Sequence, residues 1–330
     1  MEAEPILEQG CTLIPHIDDA LGPAAQRYFG EGYKKTQYRC NVKYTASFAE
    51  GTIAIDYRTD WSQKEKVSSR PPHLSTIDAF LVAGRIACEL LRREFNLSEQ
   101  QTSQAWIRHL SIKAGSEALE DLVAVPLSTR LIKSVTNNNS MFGVLSHFKT
   151  VLKTMEVEII IDHPPGIDSH TVNAAPLNAE EYFIDEFRER HCELYNNSFN
   201  DKSCAVSCEL TLQRPGNQFS GLMGQYPHAL MIVDWLTSFA QLSQLVMYRL
   251  DNVQRNQTNN LWMRSVKITA PYPIIPQQKH TLTLRSTRNS LINKNHEQWR
   301  LATVSGSIAS HPEFSLSAKL CHSLPQGTIA

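Results

Sequence analysis

Apolar residues recur with helical spacing in two segments of this chain, and each segment leads into a stretch of strict alternation. In both segments, about 18 residues carry apolar side chains three or four positions apart: Ile77, Phe80, Leu81, Ile86, Leu90 and Leu91 in the first, and Val233, Leu236, Phe239, Leu242, Val246 and Met247 in the second. A polar loop follows each segment, and then apolar and polar residues alternate, as in a half-buried strand. The pattern therefore predicts a long helix followed by a strand, twice.

The two segments are also related in sequence. Residues 78–114 align without a gap to residues 234–270 at an offset of 156 (234 minus 78), and nine of the 37 positions are identical. Chance would supply roughly two identities at average residue usage. The identical pairs are Asp78/234, Arg93/249, Asn96/252, Gln101/257, Thr102/258, Trp106/262, Arg108/264, Ile112/268 and Ala114/270. Self-similarity of this length indicates a duplicated unit.

Further alternating stretches predict strands on both sides of each helix. They cover residues 37–44, 52–58, 124–132 and 150–161 around the first helix, and residues 205–213, 281–286, 300–309 and 315–320 around the second. One apolar helix among about five antiparallel strands, present twice, predicts an α+β layer architecture.

The boundary between the two units is visible as a change in composition. Residues 163–178 are rich in Pro, Gly and polar side chains, as linkers are. Tyr182, Phe183, Phe187 and Leu194 then predict a short amphipathic helix over residues 179–194. We therefore divide the chain into an N-terminal unit, residues 1–165, and a C-terminal unit, residues 166–330, with the linker and short helix leading into the second.

Composition excludes several classes of function. Lys and Arg number 32 against 33 Asp and Glu, so the chain lacks the general basic field that nucleic-acid binding requires. No apolar run reaches the roughly 18 residues of a membrane span, and the first residues do not resemble a signal peptide. The seven cysteines are odd in number and irregularly spaced, which favours neither a disulfide framework nor a zinc site. We expect a soluble, cytoplasmic protein without a metal or cofactor.

Three stretches carry a resemblance to a known family. They are RYFGEGYK at residues 27–34, HLSTIDAF at residues 73–80 and WIRHLSI at residues 106–112. With the tandem helix-and-strand pattern, they make nearly the whole chain resemble the AvrD family. The resemblance implies a double hotdog fold, in which two curled antiparallel sheets each wrap a long central helix. Single hotdog domains typically pair by extending one sheet into the other, and a fused pair does so within one chain.

The resemblance also implies a reaction. AvrD proteins are associated with making syringolides, acyl glycoside elicitors built from a β-ketoacyl unit and a pentulose. Related tandem-hotdog enzymes of A-factor-type butyrolactone synthesis transfer a β-ketoacyl group from a carrier to a hydroxylated three-carbon acceptor. By this analogy, the chain joins a 3-oxoacyl thioester, carried by acyl carrier protein or CoA, to a hydroxyl of a xylulose-like ketose, and the ester then cyclises. A hotdog thioesterase, a hydroxyacyl dehydratase, a non-catalytic acyl-binding module and a homodimeric state all stay open.

Acyl transfer to an alcohol needs a base, donors for the oxyanion and a dry slot for the acyl tail. Asp78 and Asp234 lie in the first turns of the two helices, and His73 and His228 lie just before them. We name these four residues as catalytic candidates. Asp78 also fits a capping box with Ser75, a purely structural role, and both histidines could be ordinary loop residues.

Two Trp-x-Arg pairs are candidates for substrate binding. Because alternate residues of a strand share a face, Trp106 lies beside Arg108, and Trp262 beside Arg264. The arginine could hold a phosphate or carbonyl oxygen while the tryptophan walls the slot, or the pair could simply stack and seal the sheet. Four basic residues lie close together in the sequence: Lys34, Lys35, Arg39 and Lys43. They could form a docking surface for an acidic carrier protein, or they could be ordinary solvated residues of a strand.

Overall fold

The structure is a computed structural model that describes residues 10–62, 71–166, 186–213, 219–258, 261–274, 279–294 and 297–325. The helices in these ranges are α1 (Ile17–Leu21), α2 (Thr76–Phe95), α3 (Glu99–Gln104), α4 (Glu186–Glu189) and α5 (Ile232–Leu250). The strands are β1 (Cys11–His16), β2 (Gln37–Tyr44), β3 (Phe48–Asp56), β4 (Trp106–Lys113), β5 (Val125–Thr136), β6 (Val144–Leu152), β7 (Met155–His163), β8 (His191–Asn200), β9 (Ala205–Gln213), β10 (Trp262–Thr269), β11 (His280–Lys294), β12 (Glu297–Ile308) and β13 (His311–Ser323).

All of these strands form one antiparallel sheet in the order β1-β8-β9-β11-β12-β13-β10-β4-β7-β6-β5-β3-β2. Strands β4 and β10 meet at its middle. From β4 outward, the strands of one half are β7, β6, β5, β3 and β2, and from β10 outward those of the other half are β13, β12, β11, β9 and β8. In each half, the strands from the middle outward are the third, sixth, fifth, fourth, second and first of that half along the chain. The two halves therefore share one topology. The predicted α+β class is confirmed as a large antiparallel sheet with few helices.

The repeat seen in the sequence is a structural repeat related by a pseudo-two-fold axis. In the central pair of strands, Ser111 lies opposite Lys267, and these two residues are equivalent at the offset of 156. Two equivalent backbone hydrogen bonds flank this pair: Ala114 N–H donates to the Arg264 carbonyl (3.0 Å), and Ala270 N–H donates to the Arg108 carbonyl (2.8 Å).

Each long helix packs against the strands of its own half, and most of its residues are buried. The Ser75 hydroxyl caps α2 by accepting from Asp78 N–H at 3.1 Å, and α2 ends at Asn96 in the left-handed conformation (φ 48°). Met231 precedes α5 and supplies no side-chain cap, but its N–H donates to the Asp234 carboxylate at 2.8 Å. Among the described residues, no helix has the length and apolar character to cross a bilayer.

Several predicted elements are confirmed and two are wrong. Strands β2 and β9 have the predicted bounds. The single strand predicted over residues 150–161 is wrong, because the chain turns at Lys153 (φ 53°) and forms β6 and β7 there. The helix predicted over residues 179–194 is wrong at its C-terminal end, since β8 begins at His191 and Leu194 is buried there as a strand residue. Residues 179–185 and the linker from 167 onward lie outside the described residues.

The N-terminal segment crosses between the two halves. Strand β1 pairs with β8, at the far edge of the half that contains α5, and α1 packs on α5. The division at residue 165 instead assigns residues 11–21 to the N-terminal unit. Their local pattern carries no sign of the partner strand. The paired residues are far apart in the chain, by 179 positions for His16 and Tyr195 and by 189 for Cys11 and Asn200.

Candidate active site

A cleft opens where α2 begins, and both halves of the sheet contribute to its walls. It encloses about 1000 Å³, part of which is open solvent. One wall is the start of α2 with the residues before it, and the opposite wall is the start of β10, with Gln244 of α5 beside it. Arg27, Tyr28 and Trp61 also line this space, which we call the α2 cleft.

Asp78 lies fully buried behind the cleft wall and accepts hydrogen bonds from four hydroxyl groups. Tyr28 donates to its Oδ2 at 2.7 Å, Tyr38 to its Oδ1 at 2.5 Å, and Ser75 to its Oδ2 at 2.5 Å. The Tyr57 hydroxyl is the fourth donor. The carboxylate is thus held by neutral donors rather than by a cation.

Burial, and next the negative charge of Asp78, raise the pKa of Tyr28, Tyr38 and Tyr57 well above the ordinary value of a phenol. All three phenols therefore stay protonated at neutral pH. Of the four hydroxyl donors, only those of Tyr28 and Ser75 belong to residues that line the cleft, and the two oxygens are 2.6 Å apart.

Asp78 therefore reaches the cleft only through these hydroxyl groups. It also fills the structural role that the sequence left open, because Ser75 N–H donates to its Oδ2 at 3.3 Å, which completes the capping box. The geometry makes Asp78 a positioning residue for Tyr28 and Ser75.

His73 lines the cleft at the entrance of α2. Its ring stacks on Trp262, with centroids 4.9 Å apart and planes 20° apart. Its carbonyl accepts from the Tyr57 hydroxyl at 3.0 Å. Trp262 of the C-terminal half therefore packs on one face of the imidazole, and Tyr57 of the hydroxyl cluster holds the backbone that carries it.

Trp262 and Arg264 line the same cleft from β10. The Nε1 atom of Trp262 is buried, and it has no hydrogen-bond partner within the described ranges. The Arg264 guanidinium likewise makes no hydrogen bond or ion pair with any residue that the structure describes, while its carbonyl accepts from Ala114. The guanidinium of Arg264 is therefore available to a substrate.

The start of α5 is closed by comparison. Asp234 is 2% exposed and lies against the equally buried Arg190, whose Nη2 donates to Oδ2 at 2.6 Å. Arg190 also donates to the carbonyls of Pro227 (2.9 Å) and Ala229 (2.6 Å). Because Arg190 is held by Asp234 and by the backbone, the contacts of this carboxylate are those of a structural ion pair.

Trp106 and Arg108, the repeat partners of Trp262 and Arg264, also make structural contacts. Trp106 is fully buried, its Nε1 donates to the Ala270 carbonyl at 2.7 Å, and its ring meets Tyr226 edge-on. Arg108 donates to the fully buried Asp162 at 3.2 Å. Asp162 in turn holds the turn between β5 and β6.

The structure thus brings together His73, Trp262 and Arg264, with Asp78 behind them. It places the other four candidates away from the α2 cleft, as judged from the described residues that line it: Asp234, His228, Trp106 and Arg108. Sequence reasoning missed Tyr28, Gln244 and Arg190. Tyr28 stands in the RYFGEGYK stretch, which was the available signal, whereas nothing in the local pattern marks the other two.

The basic group proposed as a carrier landing surface is mostly paired. Lys34, Lys35 and Arg39 lie 2.9 Å from Glu31, Asp60 and Asp56, respectively. Lys43 is exposed on β2. Carrier docking here stays a prediction. Among the described residues, no three His, Cys, Asp or Glu side chains converge to form a metal site.

The family model described as Pseudomonas avirulence D protein (AvrD) matches residues 13–325. No curated protein matches the chain.

Solved structures with a similar chain course include the tesB protein of Mycobacterium avium subs paratuberculosis, at 7% identity and TM-score 0.37, covering 86% of this chain and 96% of that one. The 12:0-ACP thioesterase of Umbellularia californica is similar at 7% identity and TM-score 0.37, covering 78% and 95%. A MaoC-like dehydratase is similar at 8% identity and TM-score 0.30, covering 74% and 82%. Similarity at this level says nothing about the reaction of this chain.

Proposed function

Because this chain belongs to the AvrD family, as the match over residues 13–325 shows, we propose that it is a biosynthetic enzyme acting on an acyl thioester. The proposed reaction transfers a 3-oxoacyl group from acyl carrier protein or CoA to a hydroxyl of a xylulose-like ketose, and cyclisation to a syringolide-like acyl glycoside follows. We interpret the two halves as a double hotdog, with units at residues 1–165 and 166–330. Only the α2 cleft is proposed as an active site.

One observation carries the proposal. A single cleft at the N-terminus of a long apolar helix combines three features: a histidine, a hydroxyl pair held by a buried carboxylate, and an arginine that is unpaired among the described residues. The N-terminus of a helix presents unpaired N–H groups and a positive potential, which favour a developing negative charge.

The proposed transfer uses His73 as the base. Its neutral imidazole takes the proton of the acceptor hydroxyl, and the resulting oxygen attacks the thioester carbonyl. The tetrahedral oxyanion is stabilised by the positive potential at the N-terminus of α2. The Ser75 and Tyr28 hydroxyls donate to Asp78, so they accept hydrogen bonds from the acceptor and orient it. When the C–S bond breaks, the proton passes from the imidazolium to the leaving thiolate, so the products are the ester and the free thiol.

The remaining cleft residues hold the substrate. Arg264 is proposed to bind a carbonyl or phosphate oxygen of the substrate through its planar guanidinium. Trp262 lines the channel for the acyl chain, and its stacking on His73 keeps that ring in place. Cyclisation follows as an intramolecular aldol-type addition. The activated methylene of the 3-oxoacyl group loses a proton and forms a C–C bond to the ketose carbonyl carbon, whose oxygen takes up a proton.

The test is an assay of purified full-length protein with a 3-oxoacyl-CoA or 3-oxoacyl carrier thioester, with and without D-xylulose or its phosphate. Free thiol and product mass are followed. Thiol release that depends on the ketose and yields the ester is expected. Release without the ketose would instead identify a thioesterase. A parallel reaction with an enoyl thioester tests dehydratase-type chemistry, which hydration of that thioester would identify. No turnover of either thioester would leave an acyl-binding module.

A further inference from the structure

We infer that Met155 and Ser116 set the length of the acyl chain that the α2 cleft accepts, because the C-terminal half carries aromatic rings at the two equivalent positions. The inference rests on the proposed function, since it concerns the acyl group of the proposed substrate. It gives the acyl tail a direction, from the start of β10 past the end of β4 to the start of β7.

Three neighbouring strands line this path. Ala114, the residue after β4, lies beside β10, because its N–H donates to the Arg264 carbonyl at 3.0 Å. On the other side of β4, Lys113 pairs with Glu156 of β7, so Met155 is level with Ala114. Both Ala114 and Met155 line the cleft. The path from β10 to β7 therefore crosses two strand spacings, about 10 Å in total.

The two ends of this path differ in chemistry. The end beside α5 is polar, since it is lined by Gln244, Ser62 and Arg255, whose Nη2 lies 3.4 Å from the Ser62 hydroxyl. The other end is formed by the loop after β4 and the turn between β6 and β7, and of its described lining residues only Glu117 is charged. Its apolar lining residues are Leu74, Ala118, Leu119 and Met155. An acyl tail gains free energy by leaving water for apolar surroundings, so it belongs at this second end.

The apolar end is closed by a backbone contact. Gly115 and Thr154 both line the cleft, and a Cβ atom on Gly115 would lie 2.2 Å from the Thr154 Oγ1 atom. The loop after β4 therefore rests directly on the turn between β6 and β7. A tail that reaches Met155 meets this contact, so the path has a limited length.

The repeat identifies the equivalent positions in the C-terminal half. Two equivalent pairs of residues fix the correspondence between β7 and β13: Lys113 with Glu156, and Thr269 with Ser315. The preceding residues, Met155 and Phe314, are therefore equivalent as well. Ser116 and Tyr272 likewise lie two positions after the last residues of the aligned segments.

Aromatic rings fill this place in the C-terminal half. Phe314 is 2% exposed, and its ring centroid lies 5.0 Å from that of Tyr272 and 5.9 Å from that of Trp235. The N-terminal half has Ser116 at the position of Tyr272, and Ala79 at the position of Trp235. A cluster of three rings thus stands in one half where the other half has a serine, an alanine and a methionine that lines the cleft.

The test measures binding without chemistry. A series of S-alkyl-pantetheine thioethers, lengthened by one methylene at a time, is titrated by calorimetry into the full-length protein. Pantetheine is the arm that CoA and acyl carrier protein share, and a thioether has no acyl bond to cleave. Each methylene that enters the path should tighten binding by about fourfold, and the gain should stop at the chain length that fills it.

The variants exchange residues between the two halves. The double variant Ser116→Tyr with Met155→Phe should stop the gain at a shorter chain, and should weaken binding of the longest chain that the wild type accommodates by about tenfold. Met155→Ala should extend the gain to longer chains. The reciprocal change Phe314→Met is the matched control and should leave the limit unchanged. Circular dichroism checks that each variant folds, and Met155→Ala alone decides if the double variant does not.

The same limit in the wild type and the cleft variants would overturn the inference. So would an equal shift in Phe314→Met, or a wild-type affinity that does not depend on chain length. The assay of ketose-dependent thiol release separates this result from the proposed reaction. If the limit moves as expected but the wild type releases no thiol, the length-setting residues stand and the proposed reaction is wrong. If thiol is released while the limit stays fixed, only the present inference is wrong.

Discussion

The starts of α2 and α5 carry the same aspartate at equivalent positions of the repeat, and they have become different sites. Asp78 and Asp234 both accept from the backbone N–H of the residue that precedes their helix. The rest of their surroundings comes from outside the aligned repeat, as tyrosines for Asp78 and as Arg190 for Asp234. Backbone capping is therefore enough to keep an aspartate in both copies, while the residues around it decide whether it can support chemistry.

The largest expected effect concerns the buried ion pair of Asp234 and Arg190 at the start of α5. Asp234→Ala leaves the Arg190 charge buried without a counter-ion, so the free energy of unfolding should fall by about 3–5 kcal/mol. Urea denaturation followed by circular dichroism measures it. The double variant Arg190→Met with Asp234→Leu removes both charges and should lose less. A loss below about 1 kcal/mol for the single variant would contradict a buried ion pair.

The second effect tests which half is active. His73→Gln removes the proposed base and should lower kcat for ketose-dependent thiol release by about 10²–10⁴-fold. His228→Gln is the matched change in the other half and should leave kcat within about twofold. Comparable losses in both variants would mean that the C-terminal half has a working site as well.

The third effect concerns the hydroxyl cluster. Asp78→Asn keeps the size of the side chain but removes its charge, so kcat should fall by about tenfold, a typical scale for a lost charge-assisted hydrogen bond. Because the Asp78 charge raises the pKa of Tyr28, Tyr38 and Tyr57, the variant should form tyrosinate at lower pH. Absorbance at the tyrosinate band during a pH titration measures this. An unchanged titration would argue against the hydroxyl cluster.

The smallest expected effect depends on pH and concerns the contact between Glu31 of the N-terminal half and His191 of β8. The hydrogen bond from His191 to Glu31 raises the pKa of His191, and it lowers the pKa of Glu31 against the opposing effect of burial. The His191 contribution is complete below its unfolded pKa and is lost as the pH rises through the higher folded pKa. The Glu31 contribution is complete above its unfolded pKa and is lost as the pH falls through the lower folded pKa.

His191→Gln should therefore lower Tm most between about pH 4.5 and 6.5. The expected change is only about 1–2 °C, because the pair is partly exposed. Thermal melts at pH 5.5 and 8.5 check it, and a larger loss at pH 8.5 would contradict the pairing.

The sequence was sufficient for the repeat and the two long helices, because apolar spacing at 3.6 residues is a local signal that burial reinforces. The sequence was insufficient where a single turn separates two strands, as Lys153 does for β6 and β7. It was also insufficient where the partner strand is distant in the chain, as for β1 and β8. The sequence also could not show which of the two Trp-x-Arg pairs lines the α2 cleft. Their residues are identical, and Trp106 is closed off by Tyr226, which comes from outside the aligned segment.

The central strand pair has a consequence for the ancestry of the molecule. In a symmetric assembly of two identical chains, a residue on the two-fold axis faces its own copy. Here the axial position holds Ser111 on one side and Lys267 on the other. Two unfused copies of the C-terminal half would set lysine against lysine, and like charges directly opposite each other disfavour strand pairing. Because the two halves are covalently linked, they have been able to diverge even in the central strand pair. Separating the halves would therefore not restore a symmetric ancestor.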